Sequence, residues 1–270
     1  METIRRQLAP LIVGRQVIDA DAHPSAKFAT GVEAAGAAIL AVERRGKYLL
    51  IQLDDDRELV IHLGMTGRLQ IRGSATAPDP YVRAWWDLGG ERLELHDVRR
   101  FGRVAVVDRS DHSSMPTLAA LGPEPFDPAF TGAHLWAALR ASRARVKTQL
   151  LSQRPVAGVG NIYADEALWR AGVHPERRTL GRAGAGALRD EIIQVLATAI
   201  DRGGTTLRDY RTVEGATGTN QLHLECYGRA GEPCLRCGGT LSRLVVDGRG
   251  TTVCRTCQPL RGRVDTRQVN

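Results

Sequence analysis

No run of about 18 apolar residues occurs in the 270-residue chain, so no membrane-spanning helix is expected. The opening Met1-Glu2-Thr3-Ile4-Arg5-Arg6 lacks the apolar stretch of a secretory leader, which predicts a cytoplasmic chain in a reducing compartment. No internal repeat is present, and none of the seven histidines has a metal spacing such as H-x-x-x-H. Lysine is scarce. Of 37 basic residues only Lys27, Lys47 and Lys147 are lysines. Arginine keeps its proton in a protein, whereas lysine can act as acid, base or amine nucleophile, so each lysine is a chemical candidate.

What is present reads as globular: 43% hydrophobic and 25% charged residues, long enough for one large or two ordinary domains with a core that needs no disulfides. The formal charge of +7 is uneven. Residues 1–130 carry 16 basic and 18 acidic groups and residues 131–270 carry 21 and 12, which makes the second half the polyanion-binding candidate.

Helical spacing of Ile4, Leu8, Leu11 and Ile12 predicts a helix over 2–13. From about 34 to 108, short β-type runs such as Tyr48–Leu53, Leu59–Leu63 and Arg103–Val107, broken by glycines, predict six or more strands in a sandwich or barrel. Four prolines between 110 and 130 mark a linker. Helical patterns follow at 133–141, 145–152, 162–171 (with Asn161 as N-cap) and 187–202. The expected organisation is a β-sandwich domain over 1–115, a linker over 116–130, a helical domain over 131–222, a cysteine-rich module over 223–260 and a tail over 261–270.

Four of the five cysteines form Cys234-x2-Cys237 and Cys254-x2-Cys257. Two such knuckles joined by a hairpin suit one tetrahedral Zn²⁺ held by four thiolates, a closed and therefore structural site. The rival is a pair of disulfides, disfavoured in a reducing compartment. Cys226 reads as a small buried residue. Arg249 sits in the glycine turn between the knuckles, placed for a phosphate or merely solvated.

Eight segments in order carry a resemblance: Glu2-Thr-Ile-Arg-Arg, Arg45-Gly-Lys-Tyr-Leu-Leu, His62-Leu-Gly-Met-Thr-Gly, Asp97-Val-Arg-Arg-Phe-Gly, Leu121-Gly-Pro-Glu-Pro, Val156-Ala-Gly-Val-Gly-Asn-Ile-Tyr-Ala-Asp-Glu-Ala-Leu, Gly203-Gly-Thr-Thr-Leu-Arg-Asp-Tyr, and Tyr227-Gly-Arg-Ala-Gly-Glu-Pro-Cys with the zinc ribbon. Together they resemble the formamidopyrimidine-DNA glycosylase family, which includes endonuclease VIII. The resemblance implies an α+β multidomain chain: an N-terminal β-sandwich with flanking helices, a helix–two-turn–helix domain and a C-terminal zinc ribbon. It implies a monomer that flips an oxidised purine out of duplex DNA, attacks C1′ through an N-terminal proline amine, and cleaves the strand at the abasic site by β,δ-elimination.

The resemblance also assigns roles. Lys47 matches the β-elimination proton donor and phosphate contact, and Arg249 the zinc-finger arginine of δ-elimination. Met65, Arg99 and Phe101 match the trio that fills the gap left by the flipped nucleotide; standing alone, Met65 and Phe101 would read as core. Lys147 and Asn161 match phosphate contacts, and Arg143, one helical turn before Lys147, is a further one. His62 and His96 read as structural.

Three departures stand out. The family opens Pro-Glu-Leu-Pro-Glu-Val-Glu-Thr-Ile-Arg-Arg, and Met1 falls on its valine, so the Pro-Glu pair is absent from residues 1–6. Either the start has been assigned downstream of the true one, or the chain is a noncatalytic damaged-DNA-binding paralogue. The Met1 amine lies five residues along the helix, roughly 7–8 Å from the proline's place, too far to substitute. Tyr81 stands where the family has a DNA-contacting histidine, and Ser152 replaces an aspartate.

Overall fold

The computed structural model describes residues 1–77, 79–207, 213 and 215–260. The 261–270 tail and residues 208–212 lie outside them, and with the latter the last three residues of the Gly203–Tyr210 motif.

The chain forms two compact units, residues 1–119 with 200–221, and residues 120–199 with 222–270. The crossing between Ala119 and Ala120 falls inside the 116–130 segment, and the chain returns to the first unit for Ile200–Gln221. That return is anchored: Val213 is in the first unit's core, and its N–H donates to Gln7 Oε1 at 3.3 Å.

The first unit begins with α1 (Glu2–Ile12), which buries Ile4, Leu8 and Ile12. Leu11, expected on the same face, is 43% exposed. Then follow β1 (Asp19–Ala22), a 3-10 helix (Ala29–Ala34), β2 (Ile39–Arg45), β3 (Tyr48–Leu53), β4 (Arg57–His62), β5 (Arg68–Gly73), β6 (Val82–Asp87), β7 (Glu91–His96), β8 (Arg103–Asp108) and the short α2 (Pro116–Ala119). The eight strands make two antiparallel sheets, ordered β1-β6-β7-β5 and β2-β3-β4-β8. Alternation on β7 sends Leu93 and Leu95 into the core, where they join Leu69, Trp86, Leu49, Ile51, Ile61 and Val104. Trp86 Nε1 donates to Gly31 O at 2.9 Å, and a Cβ at Gly31 would lie 2.9 Å from the Val104 side chain, which would have to shift to admit it.

The second unit holds α3 (Gly132–Arg140), α4 (Val146–Leu151), α5 (Asn161–Arg170) and α6 (Arg182–Asp201, ending in the first unit); a 3-10 turn (Asn220–His223) leads back from the first unit to the hairpin β9 (Ser242–Val246) and β10 (Arg249–Val253). Thr131 caps α3 by accepting from His134 N at 3.0 Å. The N-cap of α5 is Gly160, and Asn161 is its first helical residue rather than the cap expected from sequence, which leaves the amide available for a tertiary contact. α6 starts five residues earlier than expected because Gly184 and Gly186 do not stop a helix whose Ala185, Leu188 and Ile192 are buried.

Two turns link α4 to α5. Gln153 adopts φ 59° and its side chain accepts from Gly158 N at 3.0 Å. The Leu121-Gly-Pro-Glu-Pro motif packs on this connection. Gly122 N donates to Gln153 O at 2.9 Å, and a Cβ on Gly122 would lie 2.1 Å from Arg154 O. Among the described residues no helix is long and apolar enough to cross a membrane.

Candidate nucleic-acid interface and zinc centre

In the first unit, two loops carry Met65, Arg99 and Phe101: the β4–β5 turn and the β7–β8 connection. Met65 is 57% and Phe101 50% exposed, so neither is core. Arg99 lies over the Phe101 ring at 5.4 Å. The fully buried Asp97 locks the loops together: one carboxylate oxygen accepts from Thr66 Oγ1, the other from Gly102 N at 2.7 Å. Glycine is required at the crossing, since a Cβ on Gly64 would lie 2.5 Å from the Phe101 carbonyl carbon, and Gly64 has φ 62°. Lys27 Nζ donates to the carbonyl of Arg100 (φ 55°) at 3.0 Å and closes the second loop. The result is a rigid mount for a thioether, a guanidinium and an aromatic ring that face solvent.

Lys47 lies in the β2–β3 turn, after Gly46, and is half-buried. Arg44 holds that turn: its Nη1 donates to Gly46 O at 3.1 Å and its Nε to Glu2 Oε2 at 3.2 Å. Glu2 also accepts from Arg5 and Arg6. Burial would raise its carboxyl, but the three guanidiniums outweigh burial and hold it at about 2. His62 has its ring 4.8 Å from that of Tyr48, and its Nδ1 accepts from Gly64 N at 3.1 Å. Burial, then the positive charge of Lys47, lowers His62 to about 4. An NMR titration of its imidazole should therefore show a neutral ring down to about pH 4; a midpoint near 6.5 would mean that the ring is not enclosed as described. His96, also buried, pairs with Asp79 at 3.4 Å. Tyr81 is 46% exposed, its ring edge-on to His96 at 5.8 Å.

In the second unit the four knuckle cysteines converge, with all sulfurs within 4.8 Å of one another. Cys234 and Cys257 are 3.9 Å apart, and Cys237 and Cys254 are 3.5 Å apart. A tetrahedral ion with Zn–S bonds of about 2.3 Å sets its sulfurs about 3.8 Å from each other, so four soft thiolates at this spacing fit zinc and leave no open position. Two disulfides would need far shorter contacts. Trp169, Cys226 and Leu241 seal the knuckles, and Arg236 lies over the Trp169 ring at 4.6 Å. Cys226 is outside the ligand set; its thiol meets Thr252 O at 3.3 Å and burial pushes its titration up.

Arg249 is exposed and opens β10, after a tip with Asp247 at φ 46° and Gly248 at φ 77°. Helices α4 and α5 grip this hairpin. Thr148 Oγ1 and Arg145 Nη1 both donate to Asp247. Asn161 Nδ2 donates to Gly250 O at 3.0 Å. Glu166, 3% exposed, accepts from the N–H groups of Glu225, Cys226 and Tyr227 at 3.0, 2.8 and 2.7 Å.

Lys147 does not face solvent. Its side chain is fully buried and its ammonium is ion-paired with Asp165 at 2.6 Å. That is not the geometry of a phosphate contact, and it corrects the reading taken from the sequence: the charge is neutralised inside the unit. Arg143 also differs from expectation. It precedes α4 in an irregular segment rather than sitting one helical turn before Lys147, and its carbonyl accepts from Arg178. Ser152 Oγ donates to Gln149 O at 2.7 Å, ending α4.

Asp97, Asp165 and Glu166 escape sequence reasoning as site residues, although all three lie in the quoted motifs. An acidic residue opening the loop Asp97-Val-Arg-Arg-Phe-Gly, and an adjacent Asp-Glu pair within α5, are the available signals.

Three family models match: the formamidopyrimidine-DNA glycosylase N-terminal domain over residues 1–104, its helix–two-turn–helix (H2TH) domain over 121–211, and the zinc finger found in FPG and IleRS over 231–260. The formamidopyrimidine-DNA glycosylase of Deinococcus radiodurans is 42% identical over 275 residues, spanning 97% of this chain and 96% of its own. The crystal structure of the MutM (Fpg) protein of Thermus thermophilus superimposes with a TM-score of 0.89 at 44% identity, covering 95% of this chain and 96% of that one. The Lactococcus lactis Fpg in complex with DNA containing an abasic site gives 0.87 at 35% identity, with 96% and 97% covered. With its β-sandwich, H2TH and zinc-finger parts matched in order along nearly its whole length, the chain belongs to the formamidopyrimidine-DNA glycosylase family.

Proposed function

We propose that this chain is of the base-excision-repair DNA glycosylase and abasic-site lyase type, acting as a cytoplasmic monomer on oxidised purines in duplex DNA and holding one structural zinc ion, with catalysis depending on the family's Pro-Glu pair, which residues 1–6 do not contain; the second reading is a paralogue that binds damaged DNA without cutting it. The observation that carries this reading is the solvent-facing Met65, Arg99 and Phe101 set, fixed by the buried Asp97. A folded chain gains nothing by exposing an aromatic ring and a thioether on a rigid mount; a duplex from which one nucleotide has been turned out supplies the missing partner. Phe101 suits the base step, Arg99 the donor pattern of the unpaired base, and Met65 the vacated space.

In this reading the proline amine that the family places ahead of Glu2 adds to C1′ as the base departs, and the C1′–O4′ bond then opens with a proton passing to O4′, giving a Schiff base. Loss of a C2′ proton then breaks the C3′–O bond. Lys47 serves as proton donor and phosphate contact, and Arg249 assists the second elimination. Asn161 keeps one amide proton on Gly250 and turns the other, with the exposed Arg143, to the backbone phosphates. The zinc-bound cysteines hold the Arg249 hairpin and take no part in bond breaking.

Affinity for a duplex with one abasic site should fall steeply with salt, by about 0.9 log units per neutralised phosphate per log unit of salt. Arg249→Ala should weaken binding to all sequences alike and flatten the slope by about one unit. Fluorescence anisotropy between low and physiological salt measures both, and a salt-independent affinity would end the DNA reading.

A further inference from the structure

We propose that the buried Lys147–Asp165 pair is a positioning device for Arg249, setting the backbone of the hairpin tip from the H2TH helices so that the zinc ion alone does not determine it. The ammonium is ion-paired with the carboxylate of Asp165 at 2.6 Å and donates to Thr251 Oγ1 at 2.8 Å and Gly250 O at 3.2 Å. Thr251 Oγ1 in turn donates to Arg249 O at 2.9 Å. The other oxygen of Asp165 accepts from Thr252 N at 2.9 Å. One ion pair therefore holds the four successive residues 249–252, and a continuous chain of polar contacts runs from Asp165 through Lys147 and Thr251 to the Arg249 carbonyl.

Energy alone does not account for such a pair. Both side chains are fully buried, and taking two charges out of water costs as much as their attraction returns, so an apolar pair of equal volume would stabilise at least as well. What an apolar pair cannot supply is direction. Among the described residues β9 and β10 form a two-stranded ribbon, and a lone ribbon is marginal in water. The side of β10 away from β9 is satisfied by Asp165 instead. The zinc ligand nearest Arg249 in sequence is Cys254, at the far end of β10, so the tip needs its own anchor.

The test is a double-mutant cycle on the full chain. Lys147→Met with Asp165→Leu removes both charges together and strands neither. Zinc content should stay at one per chain, and hydrogen exchange of the amides at 249–252 should accelerate at least about tenfold. Affinity for abasic-site DNA should drop about tenfold when Arg249 is present, and by less than about twofold in an Arg249→Ala background, because the pair acts through that residue. Equal losses in both backgrounds, unchanged exchange, or loss of zinc would each overturn the proposal. If the double variant fails to fold, Asp165→Asn, which keeps an acceptor for Thr252, carries the same two measurements. The DNA arm rests on the function proposed above and the exchange arm does not. A wild-type chain that ignores DNA would sink that function and leave exchange to decide the positioning role.

Discussion

Placing Pro-Glu-Leu-Pro-Glu-Val ahead of Glu2, with the initiator methionine removed, is expected to turn borohydride trapping on abasic-site DNA from background to a stoichiometric covalent complex. Trapping reads the chemistry directly. Borohydride reduces the imine formed between an amine and C1′, so a covalent adduct requires an amine within about 3–3.5 Å of that carbon. The mount for such an extension is in place: Glu2 is pinned by Arg5, Arg6 and Arg44, and Arg44 also fixes the turn before Lys47. The 270-residue chain should give no adduct. Two amines could contradict this. The Met1 α-amine is lowered to about 6, by burial first and then by Arg44 and Lys47, and is largely unprotonated at neutral pH. Lys47 is the other, and if it serves, Lys47→Arg abolishes the adduct. Trapping by neither form of the chain would favour a protein that binds damage without cutting it.

Cys237→Ser should release the zinc and lower affinity for abasic-site DNA on the order of 100-fold, the scale of losing a structural ion whose binding is folding free energy. The effect is large because the ligands and the hairpin are one object: Cys237 and Cys254 face each other at 3.5 Å, and Cys254 directly follows β10. Metal analysis and anisotropy on the same preparation are the measurement. Zinc-free protein that binds DNA undiminished would separate the finger from recognition.

Legibility varied with the range of the interaction. The knuckles could be read because each ligand pair lies within four residues and thiolate pairs have few other uses in a reducing compartment. The sandwich could be read because alternation along β7 or β8 is a local property. Met65 and Phe101 could be placed only through resemblance, since their types fit a core equally well and their exposure depends on Asp97, more than thirty residues from Met65 and Thr66. Lys147 misled for the opposite reason. A cation in a basic half of the chain suggests a surface, and its partner lies on another helix, 18 positions away, where no periodicity links the two. The Gly160 cap of α5 follows the same logic, because Asn161 commits its amide to Gly250, 89 positions on.

The return of Ile200–Gln221 to the first unit has a consequence for synthesis on the ribosome. That unit contains residues from both sides of an 80-residue excursion, so the seat of Val213 beside Gln7 is filled only after the helices of the second unit have been translated. The second unit waits in turn for its cysteines. Neither unit can be completed by an uninterrupted stretch of nascent chain.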